Sequence, residues 1–430
     1  MEPINILNRA SKLAESAEVF SSRTTSLSVS FENNLIKDSS SSDLSGSGVR
    51  VIRDGRIGFS STNRPGDEAV ADRACELALH GRKALFDFPA DPKVAPAVND
   101  ISQLDSLDEA ASVKHCEEAV EKLKGLGDGV MAFSGMGKTL STSRIVNTAG
   151  LDMEQQLGFL SWYSGLVLNT EGNFIQIYGS DYGDCFKGFD KQVAEVSEAF
   201  ALCATNENVP TGKYRVLLSP RGLLNFMGVF TACLNGMSVA KGISPWTGKQ
   251  GSQLFDPRFT LLTDLVSDDS PYRMAVDNEG VPTGRRMLIN EGVLESFYHS
   301  LNSAAQCGHE PTGHGSRGPA SLPSPSMNCP RILPGNTCMD DMFKDAEIWI
   351  DELIGAIMSN PYGGIISGTV ALGFTMRNGK RVARVKDAML SLNVFEIFKG
   401  GILAVSRETR REGAAILPWI LLDGVSIASR

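Results

Sequence analysis

Gly368-Thr369-Val370-Ala371-Leu372-Gly373-Phe374-Thr375-Met376-Arg377-Asn378-Gly379-Lys380-Arg381-Val382-Ala383-Arg384-Val385-Lys386 is the stretch whose reading decides the fold. Asn378-Gly379 sits between two runs that read as strands. It supplies the two positive-φ positions of a tight hairpin turn, because asparagine and glycine enter the left-handed region at low cost. Lys380 to Lys386 alternates basic and apolar residues, which places its cations on the wet face of a strand rather than on a phosphate track. The hairpin makes the second half of the chain a β structure.

Working outward, Arg258 to Leu265, Arg285 to Tyr298 and Glu347 to Ile350 also read as strands. A helix is expected near Leu390 to Phe398, ahead of a C-terminal strand region. Gly222 to Ala240 carries no charge and is long enough to span a bilayer. Asn225, Thr231, Asn235 and Ser238 interrupt it, so a buried core helix behind Ser219-Pro220 is expected instead. Asn206 to Gly212 is polar and contains Pro210, and the domain boundary is set there, dividing the chain into 1–205 and 206–430.

The first half mixes helices and strands. A helix is expected over Ile4 to Ala17 and a strand over Phe20 to Phe31, where serines and threonines alternate with Leu27 and Val29. Ser39 to Gly48 reads as a Ser/Gly-rich loop. Asp54-Gly55 joins two short strands. Asp67 is a candidate cap for the helix that follows it, and Ser106-x-x-Glu109 has the form of a capping box. The fold class is therefore α+β: an N-terminal mixed sheet with flanking helices, then a β-rich, barrel-like domain around a buried helix.

Composition narrows the function. The chain has 430 residues, 42% hydrophobic and 21% charged, with a formal net charge of −9. Such a surface repels phosphate, so no nucleic-acid partner is expected. Eight scattered cysteines lack any C-x-x-C pair and read as reduced thiols, which, with no secretory signal, suggests the cytoplasm. No membrane association is expected. Gly135-Met136-Gly137-Lys138-Thr139 has the look of the end of a phosphate-binding loop, but Ala132 stands where the first glycine is needed.

One string suggests a metal. His309-Glu310-Pro311-Thr312-Gly313-His314 spells H-E-x-x-x-H, and a helix would set both histidines on one face with the glutamate as base. Pro311 and Gly313 oppose a helix, and the flanks read as loop. Cys307 adds a third ligand type nearby.

Several segments together carry a resemblance. Asp277-Asn278-Glu279-Gly280-Val281-Pro282-Thr283-Gly284-Arg285-Arg286, Ile289 to Leu294, Pro311 to Gly315, Gly363 to Gly373 with Asn378-Gly379, and Leu417-Pro418 with Leu422 to Ile427 occur in that order. With Gly48 to Gly55, they resemble the TldD/PmbA family, once called modulators of DNA gyrase. The resemblance implies a zinc-dependent peptidase family acting on unfolded peptides, built as a heterodimer. In its zinc-bearing TldD branch, the helix after the domain boundary carries H-E-x-x-x-H, and a cysteine near the C-terminus completes the site. Here the corresponding helix, Gly222 to Met237, has neither histidine nor glutamate, and Glu408 to Gly413 has no cysteine. The resemblance is thus to the PmbA/TldE branch, the metal-free subunit. It departs from that branch at Gly368 to Ala371 and in the proline-rich loop Arg317 to Met327.

The resemblance implies no catalytic residue, no metal and no cofactor on this chain, with a zinc-bearing TldD-like subunit or a second copy as partner. Thr312, Gly313, His314 and Arg317 are the candidates for contact with peptide or partner, because a glycine-rich loop admits another backbone closely. Two other readings stand open: an active metallopeptidase using His309 and His314, and a scaffold homologue without a peptidase partner.

Overall fold

The computed structural model describes residues 3–102, 104, 107–171, 173–356 and 360–429. The first half is built on β1 (Ser16–Glu32), β2 (Leu35–Arg53), β3 (Arg56–Thr62), β4 (Met131–Asn147), β5 (Asp152–Thr170) and β6 (Asn173–Gly183). Their order is β3-β2-β1-β4-β5-β6. Every pairing is antiparallel, so the sheet is not the mixed one expected. Hairpin connections account for four of the five pairings, while β1 and β4 pair across a long excursion of the chain between Thr62 and Met131.

The helices α1 (Pro3–Ala10) and α2 (Ala69–Ala78) pack Ile6, Leu7, Val70 and Ala74 against Val19, Val49 and Val51. The first is shorter than Ile4 to Ala17, because residues from Ser16 already belong to β1. Asp67 does not cap α2; its carboxylate accepts from Thr62 and Arg73, and the helix opens from Glu68 without a side-chain cap. A second pair of helices, α3 (Glu109–Lys124) and α4 (Asp190–Leu202), buries Cys116, Val120, Leu123 and Val196 on Trp162, Leu166 and Ile177.

Ser106 lies outside the described residues. The cap of α3 is Asp108, whose carboxylate accepts from the Ala111 amide at 2.8 Å. Asp108→Ala should cost about 1 kcal/mol by freeing that amide, read as a small drop in urea midpoint with an unchanged slope.

Ser39 to Gly48 is not a loop. It forms the middle of β2, register-paired with Phe20 to Val29, and Ser26 and Ser42 share a 2.8 Å hydroxyl contact. Residues 40–45 are exposed, so no apolar alternation marks them as strand. The main-chain ladder with β1 holds them instead. Gly135 to Thr139 is also interior strand, and Lys138 donates to the carbonyls of Leu104 and Leu107 at 2.9 and 2.8 Å.

The second half opens with β7 (Asn206–Asn208) and β8 (Gly212–Leu218). Strand β8 pairs with Ile348–Ile354, which pairs with Ile365–Arg377; that strand pairs with Ala388–Asn393, which pairs with Ala415–Ser429, and the last returns to β8. Five strands thus close a barrel. The Asn378-Gly379 hairpin forms as expected, with φ of 50° and 74°. Leu390 belongs to a barrel strand, and the helix occupies Val394–Gly400. Closing the barrel edge outweighs local helix preference there.

The uncharged segment becomes two helices, α5 (Pro220–Leu234) and α6 (Gly236–Ala240), broken at Asn235. Phe226, Phe230 and Leu223 are fully buried and share a core with Val216 and Leu218, while Leu217 faces the other way, toward Met342. No described helix is long and apolar enough to cross a membrane. All eight cysteines are free thiols.

Candidate functional site

Two regions are candidate sites: the outer face of α5, and the loop over residues 309–318 with what lies beneath it. The face of α5 is amphipathic in an unusual sense, because its exposed side carries no charge. A groove of about 370 Å³ runs along it, lined by Leu224, Asn225, Gly228, Val229, Ala356, Pro361 and Ile366. None of these titrates. The one thiol on the helix, Cys233, is buried, donates to the Pro361 carbonyl and is pushed up to about 12 by burial. It is a poor ligand, since the thiolate is the form that binds metal.

The loop follows α7 (Leu301–Cys307), which ends on Gly308 in the left-handed conformation. Residues 309–314 are not helical, so His309 and His314 are not set on one face. His309 Nδ1 lies 3.0 Å from His299 Nε2. His314 bonds Thr263 Oγ1 through Nε2 at 2.8 Å and the Thr312 carbonyl through Nδ1 at 2.8 Å. A carbonyl only accepts, so Nδ1 carries the proton and Nε2 accepts from the threonine hydroxyl. Burial pushes both His299 and His314 down to about 4. Among the described residues, no three His, Cys, Asp or Glu side chains gather as a metal requires. The residues present do not fit a zinc ion, either on α5 or in this loop.

The four contact candidates are turned inward. Thr312 accepts from the His299 amide at 2.6 Å. Gly313 sits at φ 71°, and a Cβ there would come within 2.3 Å of the Pro282 carbonyl. The close backbone approach it permits is therefore made by this chain itself. His314 is buried as described. Arg317 is buried, donating to Glu18 Oε1 at 2.5 Å and to the Asn278 carbonyl at 2.9 Å, with its guanidinium 4.8 Å from the Phe20 ring.

Arg317 leads to a set of residues that sequence reading missed. Arg50 holds Glu18 in a two-pronged pair, Nε to Oε1 at 2.9 Å and Nη2 to Oε2 at 3.1 Å, and reaches Glu279 Oε1 at 2.7 Å. Glu279 Oε2 accepts from the Leu301 amide at 2.8 Å. All four side chains of this Glu18-Arg50-Glu279-Arg317 network are at most 2% exposed. Two come from the N-terminal sheet and two from the loops above the barrel, so the network bolts the halves together. Asp277 adjoins it, accepting from the amides of Glu279, Val281 and Gly315 at 2.9, 3.0 and 2.7 Å. Burial first, and then the Glu279 charge, raise its carboxyl well above the usual range. Two arginines face two glutamates in the network. The acidic turn at 277–280 was visible in the sequence; its partners were not.

A sequence profile for the PmbA/TldA metallopeptidase C-terminal domain matches residues 211–429, and one for PmbA/TldA metallopeptidase domain 1 matches residues 17–78. An uncharacterized protein of Methanocaldococcus jannaschii is 28% identical over 392 residues, covering 88% of both chains. A metalloprotease of Methanothermobacter thermautotrophicus is 25% identical over 417 residues, covering 90% of this chain and 87% of its own. The crystal structure of TldE from Thermococcus kodakarensis matches the fold with a TM-score of 0.91 over 99% of each chain, at 20% identity. The C-terminal profile alone spans more than half of the polypeptide, barrel and α5 included: the chain belongs to the PmbA/TldA metallopeptidase family.

Proposed function

We propose that this chain is the metal-free subunit of a TldD/TldE-type peptidase, pairing with a zinc-bearing subunit that cleaves unfolded peptides. The observation that carries the reading is the groove on α5. It is formed and open, yet its lining offers only apolar side chains and Asn225. Such a surface can wall a chamber and contact an extended peptide without reacting with it. The match to TldE supports this reading, and the name of the archaeal metalloprotease supports its peptidase part. In it Thr312, Gly313, His314 and Arg317 hold their own loop against the rest of the chain. A division into 1–205 and 206–430 and a cytoplasmic setting belong to this proposal, and a second copy of the chain is the alternative partner.

The test uses the full chain purified alone, then mixed with a zinc-bearing family member from the same organism. Alone it should hold well under one zinc per chain by elemental analysis and leave unfolded casein intact. The mixture should cleave casein, and a chelator should stop it. Chelator-sensitive cleavage by the chain on its own would overturn the proposal.

A further inference from the structure

A crevice of about 240 Å³ lies at the seam of the two halves, between α4 and β6 on one side and the N-terminus of α5 and the barrel on the other. It is distinct from the α5 groove, with Ser219 to Arg221 as its only α5-end lining.

Three guanidiniums line it, each paired with a carboxylate. Arg221 stacks at 4.5 Å on the Tyr178 ring, donates to the Tyr178 carbonyl and lies 3.4 Å from Asp351. Arg381 stacks at 4.2 Å on Trp349 and pairs with Glu198. Arg410 forks onto Glu195. The cations and two of the carboxylates are the fixed part of the site: Arg221, Arg381 and Arg410 are 9%, 20% and 21% exposed and Asp351 and Glu412 are 19% and 4%, against 65% for Glu198 and 38% for Glu195. Aromatic stacking holds guanidinium planes in place, whereas exposed glutamates are mobile and displaceable.

Two buried donors beside the crevice, Arg221 Nε and Trp349 Nε1, have no hydrogen-bond partner. Unmatched donors favour an acceptor-bearing ligand. The N-terminal end of the fifteen-residue helix α5 adds positive potential at the same place. The remaining wall carries the apolar Phe343, Leu372, Phe374 and Trp419 and a fourth carboxylate, Glu412, whose Oε1 lies 2.9 Å from Arg410 Nε.

We infer that this crevice binds a carboxylate carried on a compact apolar body, either a small free acid or the C-terminal residue of a peptide. The carboxylate displaces Glu198 and sits on Arg381 and Arg221, and the apolar part packs against the aromatic wall.

Calorimetric titration of the full chain with N-acetyl-phenylalanine tests this, with quenching of tryptophan fluorescence as a second readout. N-acetyl-phenylalanine amide, which lacks the charge, should bind at least tenfold more weakly. Arg381→Gln should weaken the acid at least tenfold while the melting midpoint stays near that of the parent chain. Glu198→Gln, which removes the competing counter-ion, should tighten it several-fold. A tetrapeptide ending in phenylalanine that binds as well as the small acid assigns the crevice to peptide C-termini; its exclusion assigns the crevice to free acids. Equal binding of acid and amide, no binding of either, or inorganic phosphate binding as tightly as the acid would overturn the inference. The assay needs neither zinc nor a partner subunit, so its failure is separable from failure of the subunit proposal.

Discussion

Replacing Arg50 with leucine should lower the stability of the chain by about 3–5 kcal/mol, the range for removing one partner of a buried ion network. Arg50 is 2% exposed and neutralises Glu18 and Glu279 together, both fully buried. Leucine leaves Glu279 with a single backbone donor and forces Glu18 to rely on Arg317 alone. It also removes the cation that lies 5.2 Å from the Phe88 ring. The measurement is the urea midpoint, with Arg53→Leu as the comparison. Arg53 is the next residue but two on the same strand and is 39% exposed, so its loss should cost under about 0.5 kcal/mol. A drop below about 1 kcal/mol for Arg50→Leu would show that water reaches the network and that it does not bolt the halves together.

That network marks where the sequence stops being readable. Asn378-Gly379 announces its hairpin because the required backbone geometry is local to two residues. The α5 helix announces its burial because apolar residues fill a continuous segment. Arg50 announces nothing. It stands between Val49 and Val51 like any outward-facing residue of a half-buried strand, and its partner Glu279 is 229 positions away. Arg317 and Glu18 are separated by 299. Only the stacking of the sheet onto the barrel loops brings them together, and no period or motif encodes that. The same limit explains Ser39 to Ser45, whose strand state comes from pairing with β1 and not from any pattern of its own. It also explains Thr312, Gly313, His314 and Arg317. A glycine-rich loop was legible as a place of close backbone approach, but the approaching backbone is Pro282 of the same chain.

Acidification should destabilise the chain steeply between pH 6.5 and 4, and the two buried histidines set that window. His299 and His314 are held neutral in the fold, each with a pKa lowered from 6.5 to about 4, burial being the main cause. Between those values the unfolded chain binds the proton and the folded chain does not. Stability is therefore fully present above pH 6.5 and falls as pH drops toward 4. Each histidine contributes about 1.4 kcal/mol per pH unit across the window, or roughly 3 kcal/mol in all. Asp277 works in the opposite direction, since its raised pKa lets the fold hold a proton that the unfolded chain releases, and that contribution is lost as pH rises. The histidine effect is isolated by His314→Gln. The variant starts less stable at pH 7.5, because Thr263 and the Thr312 carbonyl lose well-placed partners. Its urea midpoint should then fall less steeply than that of the parent chain between pH 6.5 and 4, by the share of one histidine. Two parallel curves would mean that His314 titrates like a solvated imidazole, which its bond to the Thr312 carbonyl and its place under the loop both forbid.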